Sequence, residues 1–144
     1  MNDSNSILTQ LQTQFRAIDG TAGTYNNNLN DSDVILGFAL AADAQAYPSI
    51  YISGLMELPS RQADQQFDDV PIEVEVFGYV KQATVTTALA EAAKLASDMR
   101  AAVAANETLG SRVHELSVAI DIAAMQDIGV AIMRLRAKYE YTKP

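Results

Sequence analysis

Ile72-Glu73-Val74-Glu75-Val76-Phe77-Gly78-Tyr79-Val80 alternates with a period of two. In a strand that period puts Ile72, Val74, Val76 and Val80 on one face and Glu73, Glu75, Phe77 and Tyr79 on the other. An alanine-rich helix is expected next, over 84–105, followed by two strand-like runs at 112–123 and 128–141. The order β-α-β-β specifies an α+β chain: a small, mostly antiparallel sheet with an N-terminal helix and a long alanine-rich helix packed on one face. Both faces of the 72–80 strand carry apolar residues. Phe77 and Tyr79 therefore either touch a partner or cover an exposed sheet face.

The long helix shows a stripe of Val85, Leu89, Ala92, Ala96, Met99 and Val103 at alternating spacings of four and three. Small central residues would let its axis lie close to the sheet. Thr84 is the expected N-cap and Asn106 the expected left-handed stop. A stripe this short, without ordered flanking charges, favours a core-facing helix over a coiled coil.

In the two closing strands Leu116, Val118, Ile120 and Ile122 alternate with polar or small residues. Met133, Leu135, Ala137, Tyr139 and Tyr141 alternate with Ile132, Arg134, Arg136, Lys138 and Glu140. A hairpin turning near Met125-Gln126-Asp127 is expected, with the basic row Arg134, Arg136, Lys138 on the wet face of an edge strand.

Upstream, Leu8, Leu11, Phe15 and Ile18 recur at helical spacing, giving a first helix over 5–19. Asn5 or Ser6 would cap it and Gly20 would end it; its apolar face would dock on the core. Residues 20–33, rich in Gly, Asn and Asp, read as a turn with a short irregular strand. The nearly continuous apolar run 34–42 reads as a buried strand or a short helix, the strand being favoured by Val34, Ile35 and Phe38. Residues 47–56 form a second strand, opened by Pro48 where no ladder donor is needed. Residues 57–71, polar and bounded by Pro59 and Pro71, read as a mobile exposed loop. Its charges Arg61, Asp64, Asp68 and Asp69, with Phe77 and Tyr79, are the expected partner-binding residues.

The chain has 144 residues, enough for one domain with its own core. It contains no cysteine, which excludes disulfides, thiolate zinc sites and a cysteine nucleophile. One histidine cannot build a multi-histidine metal site. The net charge of −8 opposes binding to a phosphate backbone. No apolar run reaches the ~20 residues that span a bilayer, and the polar start Met1-Asn2-Asp3-Ser4 is not expected to be a secretory signal.

Catalytic motifs are missing from the sequence: no GxGxxG, P-loop, GxSxG or HExxH pattern occurs. His114 and Glu115 adjoin, but strand neighbours point to opposite faces, so they are not expected to pair. Asp64, Asp68 and Asp69 lack the spacing of a calcium loop, as does Asn30-Asp31-Ser32-Asp33. No catalytic, cofactor or metal residues are assigned, and the chain is expected not to be an enzyme.

Four stretches carry a resemblance. They are Tyr47-Pro48-Ser49-Ile50-Tyr51-Ile52; Val74-Glu75-Val76-Phe77-Gly78-Tyr79-Val80 and the helix after it; and Asn106-Glu107-Thr108-Leu109-Gly110-Ser111-Arg112-Val113. Their order, with the N-terminal helix, resembles the tail terminator (tail completion) proteins of long-tailed bacteriophages over nearly the whole chain. The resemblance implies a homo-oligomeric, hexameric ring that caps the tail tube, ends tube polymerisation and offers the surface that joins the head. The implied partners are the tail tube protein and a head-completion or connector protein, with DNA passing through the lumen unbound and no membrane. The implied location is the virion neck, assembled in the host cytoplasm. The rival readings are another neck or tail-assembly protein, and a small α+β enzyme or ligand-binding domain.

Overall fold

The computed structural model describes residues 3–58 and 67–142. It contains helix α1 (Ser4–Arg16), strands β1 (Val34–Leu36), β2 (Ser49–Glu57) and β3 (Phe67–Lys81), helix α2 (Val85–Ala104), and strands β4 (His114–Met125) and β5 (Ile128–Thr142). The five strands form one sheet in the order β1-β2-β3-β5-β4. Among the described residues β1 and β2 pair in parallel and the other pairs are antiparallel. Both helices contribute to one core on one face, so the fold is the α+β arrangement expected.

That core joins Ile7, Leu11 and Phe15 of α1, Ile50 and Ile52 of β2, and Ile72, Val74, Val76 and Val80 of β3. Met133 and Leu135 of β5 complete the floor beneath Leu95 and Met99 of α2. The period of two in β3 thus separates core from outer face as the alternation demands. Gln14 on α1 fastens the two helices: its Nε2 donates to Ala102 O at 3.1 Å and to Asn106 O at 3.4 Å. Ala102 is in the last turn of α2, where intrahelical donors run out, and Asn106 lies just past its cap.

Several boundaries differ from expectation. Asp3, not Asn5 or Ser6, caps α1, accepting from Ser6 N at 2.7 Å. The helix ends at Arg16 with Ala17 as a right-handed cap, so Gly20 is not its stop; Gly23 takes the left-handed turn. Residues 20–33 hold two short 3-10 turns and no strand. The 34–42 run supplies only three strand residues, because Gly37 breaks the ladder at a φ of 149°. Pro48 immediately precedes β2.

The expected 57–71 loop is shorter than its composition suggests. Glu57 closes β2, and Phe67–Pro71 are already in β3, paired with Thr142–Lys138 of β5. Pro71 is tolerated there because its carbonyl accepts from Leu58 N at 2.8 Å, just beyond the last β2 pair. In a strand a residue's N and O point to the same side, so its missing donor falls where β2 has ended. Arg61 and Asp64 lie outside the described residues.

Thr84 caps α2 as expected, in a reciprocal box with Thr87. Asn106 is not a left-handed stop; Leu109, Gly110 and Ser111 take the positive φ values that turn the chain into β4. The buried face of α2 is Ala88, Ala92, Leu95, Ala96, Asp98, Met99, Ala102 and Val103, whereas Val85 and Leu89 are exposed. The expected stripe is therefore right from Ala92 onward and rotated off the core before it. The alanines do bring the helix close. A Cβ on Gly78 would lie 2.8 Å from both Leu95 Cδ2 and Met99 Sδ. Ala96 is 4 % exposed, and Ala93 faces solvent. Ala96→Leu is expected to overpack this contact and cost about 1–3 kcal/mol, while Ala93→Leu stays near neutral. Thermal melts of the two variants check it, and equal losses would misplace the helix face.

Candidate functional site

The outer face of the sheet divides into two halves. Over β2 and β3 it is aromatic and covered. The chain from Gly37 to Pro48 crosses that face, and tyrosine hydroxyls fix its backbone. Tyr79 Oη donates to Ala39 O at 2.8 Å, Tyr47 Oη donates to Ala41 O, and Tyr51 Oη accepts from Gln45 N at 3.1 Å. Tyr51 and Tyr79 pack at 5.7 Å between centroids; Phe77 stacks on Tyr79 and meets Phe38 edge-on at 5.6 Å. Burial pushes the Tyr79 phenol above its ordinary value, with smaller contributions from Tyr51 and Tyr47. Tyr79 is only 3 % exposed. Of the two aromatics expected at a contact, Tyr79 is thus held under the chain's own cover and Phe77 sits half-buried beside it.

Over β3, β5 and β4 the outer face is bare and charged. Arg134 lies 3.5 Å from Glu75 and 3.3 Å from Asp121; Arg136 lies 3.1 Å from Glu73; Lys138 lies 2.9 Å from Glu115. The basic row is therefore central, not on an edge: β5 lies between β3 and β4, and acids from both flanks meet its cations. Cross-strand neighbours at this spacing interact favourably, though solvent screening keeps each exposed pair weak. The hydrogen bond from Lys138 and then its charge hold the Glu115 carboxyl below its ordinary value, and Glu115 raises Lys138 in return.

His114 and Glu115 do not pair with each other. A bulge between His114 and Ser117, with Glu115 at a φ of 53°, turns His114 to Asp69 at 3.4 Å and Glu115 to Lys138. Asp69 is thus the one acid of the expected contact set whose side-chain partner is visible. Asp68 is in β3 opposite Tyr141. The structure does not gather Asp69, Phe77 and Tyr79 into one spot: they are spread along β3.

The surface also exposes apolar side chains of the 34–42 run, which was expected to be buried, and of the hairpin tip. Phe38 is 58 % and Leu40 62 % exposed, and Met125 at the hairpin tip is 70 % exposed. Ala41, Ala42, Met125, Gln126 and Ile128 line a shallow groove of about 200 Å³ where the crossing segment meets the hairpin. The signal was present in the sequence: an apolar run broken by Gly37 and carrying alternate large residues is longer than the sheet beside it can bury.

Among the described residues, one carboxylate is buried. Asp98 of α2, 2 % exposed, accepts from Asn26 N and Nδ2 at 2.8 and 3.1 Å and from Asn27 N and Nδ2 at 2.9 and 2.8 Å. Its capacity is filled by the chain itself, which makes it an anchor for the 20–33 segment. Among the described residues no group of three His, Cys, Asp or Glu is placed to hold a metal ion, and no helix is long and apolar enough to cross a membrane. Chemically, the arrangement offers contact surfaces: a paired charge lattice, an apolar ridge and two open sheet edges. No family model matches the chain, nor does any curated protein.

Proposed function

We propose that the protein is a structural virion component that caps a bacteriophage tail tube as a ring, ends its polymerisation and presents the surface that joins the head. The observation that carries this reading is the distribution of the helices. Both lie on one face of the sheet, which leaves the charged outer face and both sheet edges for protein contacts, in the architecture the sequence resemblance implies. The exposed apolar ridge at Phe38 and Leu40 adds a surface suited to a protein partner. The net charge of −8 would keep DNA moving freely through a lumen.

The test is a tube-growth reaction with purified tail tube protein. Added in excess, the chain is expected to shorten the tubes and leave ring density at one tube end in negative-stain images. Unchanged tube lengths with bare ends would overturn the assignment.

A further inference from the structure

The charge lattice on the outer face stops at Arg134. Nearer the hairpin the outward positions of β5 are Ile132, Val130 and Ile128, set beside Asp121, Ala123 and Met125 of β4. The segment that follows β1 crosses to this end of the sheet. Phe38 meets Phe77, and Ala41 and Ala42 share the groove of about 200 Å³ with Met125, Gln126 and Ile128. Met125 and Leu40 are the most exposed large apolar side chains among the described residues.

This exposure is built into fixed backbone. Tyr79 Oη holds the Ala39 carbonyl and Tyr47 Oη the Ala41 carbonyl, one on either side of Leu40. Asp43 N donates to Leu40 O at 2.9 Å and closes a 3-10 turn. The small residues Ala39 and Ala41 are half-buried, while the large Phe38 and Leu40 are exposed. Burial alone would favour the opposite arrangement. An apolar patch held outward in this way marks a contact surface, and its fixed backbone removes part of the ordering cost of binding. Met125 adds a flexible side chain that adapts to a partner's shape.

The rim of the patch is acidic. Asp43 is exposed and forms no ion pair among the described residues. Asp127 meets Lys81 at 3.9 Å, the longest ion pair among the described residues. Burial first, then the charges of Asp127, Tyr51 and Asp43, raise the Tyr47 phenol, so both carboxylates bear on one spot. Such a rim opposes an anionic bilayer. A second copy paired two-fold here would bring the same acids and the same net charge of −8.

We propose that this surface seats an apolar segment of another protein that lysines or arginines flank. Its apolar side chains would pack on Leu40, Met125 and the groove between the crossing segment and the hairpin, and its cations would lie beside Asp43 and Asp127. This partner chemistry deepens the functional reading above and rests on it only in treating the chain as a protein that works by contact. It is measured on the free chain, apart from any tube.

The probes are a short synthetic peptide with leucines flanked by lysines, the same peptide with glutamate for lysine, and the same with serine for leucine. Methyl-labelled methionine gives a local readout in nuclear magnetic resonance. Met125 lies on the proposed surface, and Met56, also exposed, lies opposite Glu73 at the other end of β3. The lysine–leucine peptide is expected to shift the Met125 methyl signal and leave that of Met56 in place. Both altered peptides are expected to bind about tenfold more weakly or worse. By fluorescence anisotropy, Leu40→Ser is expected to weaken the lysine–leucine peptide about tenfold and Asp43→Asn about threefold. Glu107→Gln, which removes an acid beyond the end of α2, is expected to change nothing. All three substitutions fall at exposed positions that the fold tolerates.

No binding of the lysine–leucine peptide would overturn the proposal. So would a Met56 signal that shifts as much as Met125, equal binding of the serine peptide, or equal losses in Glu107→Gln and Asp43→Asn, each of which would reduce the binding to overall charge. A Met125 signal that moves with protein concentration alone would give the surface to a second copy. One that broadens on phosphatidylglycerol vesicles would give it to a lipid surface. Either result overturns the assignment to another protein. Tubes that grow unchecked beside a chain that binds the peptide as expected would instead overturn the tail reading and leave this site standing.

Discussion

Gly129→Ala is expected to lower the stability by about 3 kcal/mol or more, a fall of about 10 °C in the melting midpoint for a chain of this size. Gly129 sits in β5, directly beneath the first turns of α2. An added Cβ would lie 2.9 Å from the carbonyl carbon of Ala88 and closer still to its oxygen, with Val80 Cγ2 at 2.8 Å on the other side. A side chain can rotate away from such a clash. Helix backbone cannot, unless the whole of α2 lifts from Gly78, Ala131 and Met133, where its buried face is packed. The control is Gly54→Ala in β2, where nothing lies within 4 Å of the new methyl; it is expected to stay within about 0.5 kcal/mol of wild type. Calorimetric melts of the pair decide the matter. Equal and small shifts would mean that α2 does not rest on the sheet at this point.

Asp98→Ala is expected to cost about 3 kcal/mol. The substitution strands two backbone amides and two side-chain amides of Asn26 and Asn27, all of which donate to this one buried carboxylate. Hydrogen bonds to a charged acceptor contribute more than neutral ones, and donors of half-buried Asn27 left without a partner bear part of their desolvation cost, while exposed Asn26 can turn to water. Asp98→Asn should fall between, because a carboxamide retains one accepting oxygen of the two. Hydrogen exchange supplies a local readout: the amides of Asn26 and Asn27 should lose protection in Asp98→Ala while those of β3 and β5 keep theirs. Uniform loss of protection would show that the residue matters to the whole fold and not to this anchorage.

The parts of the structure that could be read in advance are those where one periodicity dominates. β3 and the β4–β5 hairpin alternate so strictly that the face turned to the helices follows from the sequence. α1 was readable from Leu8, Leu11, Phe15 and Ile18 for a similar reason. α2 was half legible. Alanine occupies so many of its positions that two stripes fit the sequence equally, one through Val85 and Leu89 and one through Ala88, Ala92 and Leu95. Contact with Gly129, which no helical pattern can register, selects the second. The 34–42 run misled because apolarity was equated with burial, although this segment presents Phe38 and Leu40 to solvent. The 67–71 stretch misled in the opposite sense: its two aspartates disguise strand residues that pair along β5. The charge lattice could not be read at all from Arg134, Arg136 and Lys138 alone. Its acids come from β3 and β4, and only the strand order places them alongside.

The pairing of Lys81, Lys94, Arg134, Arg136 and Lys138 with acids has a consequence for how this protein meets anything approaching from afar. Lysines and arginines locked against neighbouring carboxylates act as short dipoles, whose fields die away within a few ångströms. Acids in excess of the cations have no such cancellation. Beyond a screening length of about 8 Å at physiological salt, an incoming molecule therefore encounters a body of one sign, and only on touching does it find the local alternation. Two copies, each carrying −8, repel on approach. Added salt then lowers the barrier to their meeting, the reverse of the electrostatic steering that accelerates oppositely charged partners. Dilute copies are kept apart, and encounters are favoured where many copies are held at high local concentration.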